Sequence, residues 1–244
     1  MRRVLFRWRG VTVWSYPAML YAGLVFGTIA GTRAAHAAGL DPLRVWIATL
    51  VLIVPALLGA RLLFVATEWK FYRRHPRKIW DRTQGGFMMY GAIPAMLLCS
   101  VPLLRALHLG FGAFWDVSTF TILIGMIFTR VGCLLNGCCG GRTTRGWLGI
   151  RLPDTRGVWQ RRIPTQALEV VCACVLLGVA MVMFRRTPFP GALFLLIMLS
   201  YAGARLILEL AREHRNSGRQ FRVAYGLSAI FVVMSISILA MRWQ

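Results

Sequence analysis

Acidic residues are scarce in this chain. Eight Asp+Glu stand against 29 Lys+Arg in 244 residues, and only 15% of all residues are charged. Beside an apolar content of 57%, that poverty of charge excludes an ordinary soluble domain. Internal repeats and low-complexity segments are also lacking, so the chain does not read as a solenoid or a disordered tail. No small-residue cleavage site follows the basic MRRVLFRWRG, and the apolar run behind it is long enough to span a membrane; no cleavable signal peptide is expected. Six cysteines do not make a disulfide scaffold here. Cys99, Cys172 and Cys174 lie within apolar runs, where a thiol behaves as a small hydrophobe. Cys133, Cys138 and Cys139 cluster around Asn136, but zinc would want a fourth ligand, and His36, His75, His108 and His214 are all remote in sequence. Neither a metal nor another cofactor is expected.

What the chain has in abundance is long apolar runs. About twenty such residues in a helix cross roughly 30 Å of hydrocarbon. Seven runs of this kind fall near 12–34, 44–66, 86–107, 115–135, 165–184, 189–211 and 223–241. The expected fold is an all-α polytopic membrane protein of about seven transmembrane helices, one integral membrane domain across residues 1–244.

The net charge of +21 would ordinarily suggest nucleic acid. Here the basic residues sit in short loops between spans, so no nucleic-acid partner is expected; juxtamembrane arginine instead attracts anionic headgroups, by about 1 kcal/mol each. Simple topogenic charge is the competing explanation. Loops on the N-terminal side of the membrane hold 20 Lys+Arg and those opposite hold 6. The positive-inside rule therefore places the N-terminus in the cytoplasm. The two longest loops, 68–86 and 140–163, both lie on the N-terminal face, and both mix arginine with aromatics: Trp69, Phe71, Tyr72 and Trp80 in one, Trp147 and Trp159 in the other. Such a blend suits a membrane interface, and loops of this length are more often functional than plain connectors.

Three arginines interrupt the apolar runs: Arg61, Arg130 and Arg205. A cation at mid-bilayer costs at least about 2.5–3.5 kcal/mol, so it marks a site by default. The planar guanidinium binds a phosphodiester bidentately and keeps its proton, and within a bilayer the abundant phosphate is a lipid headgroup. Gly132, Gly137 and their neighbours allow close backbone approach, and Asn136 can both donate and accept. The plainer alternatives are ion pairs: Arg130 with Asp116 or Glu169 from another helix, and Arg205 with Glu209 one turn further on. Tyr201, Arg205 and Glu209 form a polar stripe that belongs toward the bundle interior. Arg61 also reads as a helix-end residue that snorkels.

The order of these elements resembles the prolipoprotein diacylglyceryl transferase family. Gly59-Ala60-Arg61 is similar to that family's GxR at the end of span two, and Gly85-Gly86-Phe87-Met88-Met89-Tyr90-Gly91-Ala92 to the GG-x3-[HY]-GG opening span three. Thr129–Cys138 resembles the GRxGNFxNGE signature, with Asp116 at the family's spacing fourteen residues before Arg130. Arg162–Glu169 (RIPTQALE) is similar to RHP[ST]QLYE, and Gly191, Tyr201, Arg205 and Glu209 fit the final G…YG-x2-R-x3-E. The likeness covers nearly the whole chain.

The resemblance implies a seven-span enzyme of the bacterial plasma (inner) membrane. It would move a diacylglyceryl group from phosphatidylglycerol, or another anionic phospholipid, to the thiol of a prolipoprotein lipobox cysteine. In that reading Arg130 and Arg205 clamp phosphate, and Tyr90 stands where some members have a proposed catalytic histidine. Arg61, Gly86, Gly91, Asp116, Gly132, Asn136, Gly137, Gln166, Glu169, Tyr201 and Glu209 would complete the substrate site. The family places its N-terminus and active face outside the cytoplasm, opposite to the loop-charge expectation. The chain departs from the pattern at Cys133 and Cys138 in the signature and at Ile163 and Leu168 in the following motif. Those departures leave two other readings: a phospholipid-dependent transferase with a different acceptor, and a non-catalytic lipid-binding or transport protein.

Overall fold

The computed structural model describes residues 4–8, 11–80, 88–153 and 158–211, with a few helical positions between 226 and 237. The last expected span, 223–241, falls almost wholly outside the described residues, as does Gly86. The architecture is helical: α1 (Ser15–Ala37), α2 (Pro42–Thr67), the short α3 (Trp69–Tyr72), α4 (Met89–Ala106), α5 (Phe111–Asn136), α6 (Thr165–Met183) and α7 (Ala192–Leu210). Among the described residues α1, α2, α5 and α6 are long and apolar enough to cross a membrane. Shorter apolar helical stretches occupy Gly91–Ala106 and Ala192–Leu208.

Exposure is inverted relative to a soluble protein. Leu62, Leu98, Val171 and Ile207 point outward from their helices, while Arg61, Arg130, Glu169 and Arg205 are buried. Apolar side chains outside and ionisable ones inside is what a hydrocarbon solvent selects. Pro55 in α2 and Pro94 and Pro102 in α4 are accommodated within their helices, as neighbouring helices allow in a membrane bundle.

Short connections alternate the helix directions, giving the bundle two distinct ends. At the end remote from the long loops, Arg44 Nη1 of α2 donates to Leu107 O just beyond α4, at 3.2 Å. Here too Asp41 caps α2, accepting from Leu43 N at 2.9 Å. Ala35, Val45, Leu52, Leu104, Phe114 and Trp115 fill this half with a continuous apolar core. A second cluster, Phe120, Leu123, Leu176, Leu193 and Ile197, joins α5, α6 and α7 below Tyr201.

Helices meet through small residues, which is how membrane helices approach closely. Gly23, Gly27 and Gly31 line the face of α1 on α5, and Thr121 Oγ1 donates to Gly27 O at 3.0 Å. A Cβ added at Gly31 would fall 2.1 Å from Thr121 Oγ1. The α2–α4 crossing is tighter still: a Cβ at Gly59 would lie 2.3 Å from Gly91 O, and one at Gly91 2.2 Å from Gly59 O.

The long-loop end is more structured than plain loops. The chain enters through an antiparallel ribbon of β1 (Val4–Trp8) and β2 (Val11–Trp14). Within 68–86 lie α3 and a 3-10 turn at Pro76–Trp80. Within 140–163, β3 (Ile150–Pro153) pairs antiparallel with β4 (Trp159–Arg162), with Ile150 opposite Arg162. Trp14, Trp69, Trp147 and Trp159 are all exposed at this end. Among the described residues the expected helical membrane fold therefore holds, with four helices long enough to span and two small ribbons on one face.

Candidate functional site

Three helices bring a charged cluster together near the ribbon-bearing end. Arg130 lies in the last two turns of α5, Glu169 one turn into α6, and Tyr201 and Arg205 one turn apart on α7. Arg205 Nη1 donates to Glu169 Oε1 at 2.6 Å, and Arg130 Nε is paired with Glu169 Oε2. All three charged side chains are at least nine-tenths buried. The buried Tyr201 hydroxyl faces both guanidiniums and the carboxylate. Two cations share one carboxylate, and holding buried guanidiniums away from water is costly unless anionic partners accompany them.

The turn after α5 forms the rim. Gly137 takes a left-handed conformation (φ 74°) that ends the helix, and Cys138 N donates back to Cys133 O at 3.1 Å. Gln166 Nε2 donates to Cys138 O at 2.6 Å, and Thr165 Oγ1 to Cys139 O at 3.0 Å, so the start of α6 holds the turn by its carbonyls. Gln166 Oε1 is buried and has no hydrogen-bond partner among the described residues. Asn136, the last residue of α5, contacts Cys138. Contact with Cys133 acts to lower the Cys138 thiol's pKa, but contact with Cys139 and burial outweigh it and push the thiol above its ordinary range.

The remaining expected residues are placed elsewhere. Gly132 packs on α1, where an added Cβ would lie 3.0 Å from Met19 Cβ. Gly91 forms the α2–α4 crossing. Arg61 donates from Nε to Ile79 O at 2.9 Å and from Nη2 to Lys78 O at 3.1 Å, and stacks over Tyr72 and Phe64. It thereby folds the basic loop 68–80 against α2. Asp116 stands at the opposite end, where its carboxylate accepts from Gly191 N at 2.6 Å and Phe194 N at 3.0 Å. Fourteen residues of helix place it about 21 Å from Arg130 along α5. Tyr90 belongs to the first turn of α4 and Glu209 to the last turn of α7; their side chains lie outside the described residues.

Of the two partners expected for Arg130, the structure selects Glu169 rather than Asp116, and the same carboxylate also serves Arg205. Pairing across three helices has no sequence period, so spacing shows only the local partner, Glu209, whose side chain lies outside the described residues. Tyr16 was missed altogether. It sits in the first turn of α1 beside Arg130 and the three cysteines, and in sequence it looks like one more interfacial aromatic. Arg162 is also buried, with Nη2 donating to Gln160 Oε1 at 2.7 Å.

Known proteins resemble this chain along nearly its whole length. The family model for prolipoprotein diacylglyceryl transferase matches residues 3–241. A relative from Clostridium perfringens, a phosphatidylglycerol–prolipoprotein diacylglyceryl transferase 2, is 30% identical over 63% of this chain and 60% of its own length. Proteins named phosphatidylglycerol–prolipoprotein diacylglyceryl transferase from Symbiobacterium thermophilum and Bacillus cereus are 26% and 28% identical. They cover 96% and 94% of this chain and 87% and 88% of their own. The chain belongs to the prolipoprotein diacylglyceryl transferase family.

Proposed function

We propose that this protein transfers a diacylglyceryl group from phosphatidylglycerol to the lipobox cysteine thiol of a prolipoprotein. The observation that carries this reading is the buried pair of guanidiniums brought together on the carboxylate of Glu169. Two planar forks side by side suit one anionic phosphate within the membrane. In the reaction a thiolate attacks the glyceryl carbon, a carbon–sulfur bond forms and the carbon–oxygen bond to phosphate breaks. The electron pair leaves with glycerol phosphate, and the thiol proton passes to a base.

Arg130 and Arg205 bind the phosphodiester and stabilise the charge that grows on it as the ester bond breaks. Glu169 fixes both forks, and Tyr201 borders them. Tyr90, where relatives with a histidine place their proposed base, receives the thiol proton; an unperturbed tyrosine titrates near 10, so adjacent guanidinium charge would have to favour its ionised form. Gln166, Asn136 and the Gly132–Gly137 turn shape the headgroup pocket. Asp116, Gly91 and Arg61 support it through helix capping, helix crossing and loop folding, and Gly86 and Glu209 complete the substrate contacts. The whole chain forms one multi-pass domain of the bacterial plasma membrane, with a seventh span at 223–241 and interfacial loops at 68–86 and 140–163.

The test combines purified protein, labelled phosphatidylglycerol and a lipobox peptide. Mass spectrometry should find peptide heavier by a diacylglyceryl unit, with glycerol phosphate released. Cys133 and Cys138, which stand where the signature has asparagine and glutamate, favour a second reading in which the acceptor differs. Bound lipid without peptide modification, beside an active relative, would select that reading.

A further inference from the structure

The signature turn carries three thiols that the transfer reaction does not use. Cys133, in the last turn of α5, and Cys138 and Cys139, just beyond it, place their sulfur atoms all within 4.8 Å of one another. No fourth protein ligand is near the trio in sequence, the ground on which no metal is expected there. A three-thiolate site does not need one: thiophilic d10 cations accept a small coordination number, and water can complete it.

We propose that Cys133, Cys138 and Cys139 form a binding site for a thiophilic divalent cation of the zinc–cadmium type, set against the Arg130–Glu169–Arg205 cluster. Four observations support it. The backbone is bent to assemble the trio: Gly137 is left-handed, and Cys139 also adopts a positive φ of 61°, which a side chain bearing a Cβ rarely does. Strain of that kind is retained where surrounding structure imposes it. The imposing contacts are the bonds from Gln166 and Thr165 to the carbonyls of Cys138 and Cys139, the sort of outer support that orients metal ligands.

Charge is favourable as well. A divalent cation with three thiolates carries one negative charge, and the Arg130 guanidinium lies within electrostatic reach of Cys133. Access is graded, from buried Cys133 through half-buried Cys138 to exposed Cys139, so a cation can enter from the interface. Thiolates at about 2.3 Å from zinc stand about 3.8 Å apart in a tetrahedron, which a modest rotation of the exposed Cys139 side chain can reach. Binding releases a proton from each thiol that ionises.

The site does not depend on the transfer reading, and its test reads metal rather than product. The full chain, reduced and exchanged into detergent, is titrated with cadmium while the ultraviolet thiolate-to-metal charge-transfer band is followed. One cadmium per chain is expected. Cys138→Ser and Cys139→Ser, both outside the helices, should each weaken binding at least about tenfold, as should Cys133→Ser. The double variant C99S/C174S should retain the band, because those thiols lie in other helices. Absence of a band, or a band of unchanged affinity in C138S and C139S, overturns the proposal.

Discussion

At the residue scale, one carboxylate decides the electrostatics of the candidate site. Glu169 holds two guanidiniums from different helices, so its removal leaves two buried cations facing each other. Glu169→Gln should destabilise the fold by about 3–5 kcal/mol, the usual penalty for orphaning a buried charge; a thermal unfolding series in detergent measures it. An unchanged melting temperature would mean the cluster is hydrated rather than buried. Conservative change at the clamp tests chemistry rather than folding. Arg130→Lys keeps the charge but loses the planar fork, and transfer should fall by about 100-fold, comparable to losing one transition-state donor. Wild-type rates in R130K and R205K alike would sink the phosphate clamp. Tyr90→Phe removes the proposed proton acceptor and should abolish product while labelled lipid is still retained. Much of this cluster was legible in sequence, since an arginine or a glutamate in an apolar run is conspicuous by cost alone. Tyr16 and the exact pairing were not, because a tyrosine at a span end is ordinary and cross-helix partners leave no trace in spacing.

At the scale of elements, the glycines do more for packing than for the ligand. Gly59 and Gly91 let α2 and α4 cross with each backbone against the other's carbonyl. This contact, with Met88 N donating to Ala60 O at 3.0 Å, fixes where α4 begins and hence where Tyr90 starts its turn. Gly59→Ala should lower stability by about 1–3 kcal/mol through overpacking and slow transfer by displacing α4. Gly178→Ala is the matching control: among the described residues nothing lies within 4 Å of an added Cβ there, and alanine favours helix by about 1 kcal/mol. Equal melting temperatures for the two variants would refute the crossing. Sequence motifs pointed to Gly91 as a substrate contact, whereas the helices give it a packing role. The motif marks a required glycine without saying which neighbour requires it. The six long helices among the described residues follow the hydropathy pattern to within a few residues, and four of them are long and apolar enough to cross a membrane. The β3–β4 ribbon was hidden, because a four-residue strand with the burial of one surface loop has neither length nor alternation enough to register.

At the scale of the whole molecule, two physical rules disagree about which way the bundle faces. Loop charge, 20 Lys+Arg against 6, would hold the ribbon-bearing end in the cytoplasm. Several of those arginines have structural duties that topogenesis does not require: Arg161 Nε donates to Gly149 O at 2.8 Å, and Arg162 is buried against Gln160. Others stand among exposed tryptophans at the interface, where they would gather anionic lipid. A transferase acting on lipobox thiols also has to meet its acceptor after translocation. The ribbon-bearing end is therefore expected to face away from the cytoplasm. Cys139, exposed at that end, reports on this directly in a variant lacking Cys99 and Cys174. A membrane-impermeant maleimide should label it in intact spheroplasts. Labelling only after permeabilisation would place the site in the cytoplasm. The lipobox acceptor would then be untenable, and the net charge of +21 would be read as plain positive-inside topology.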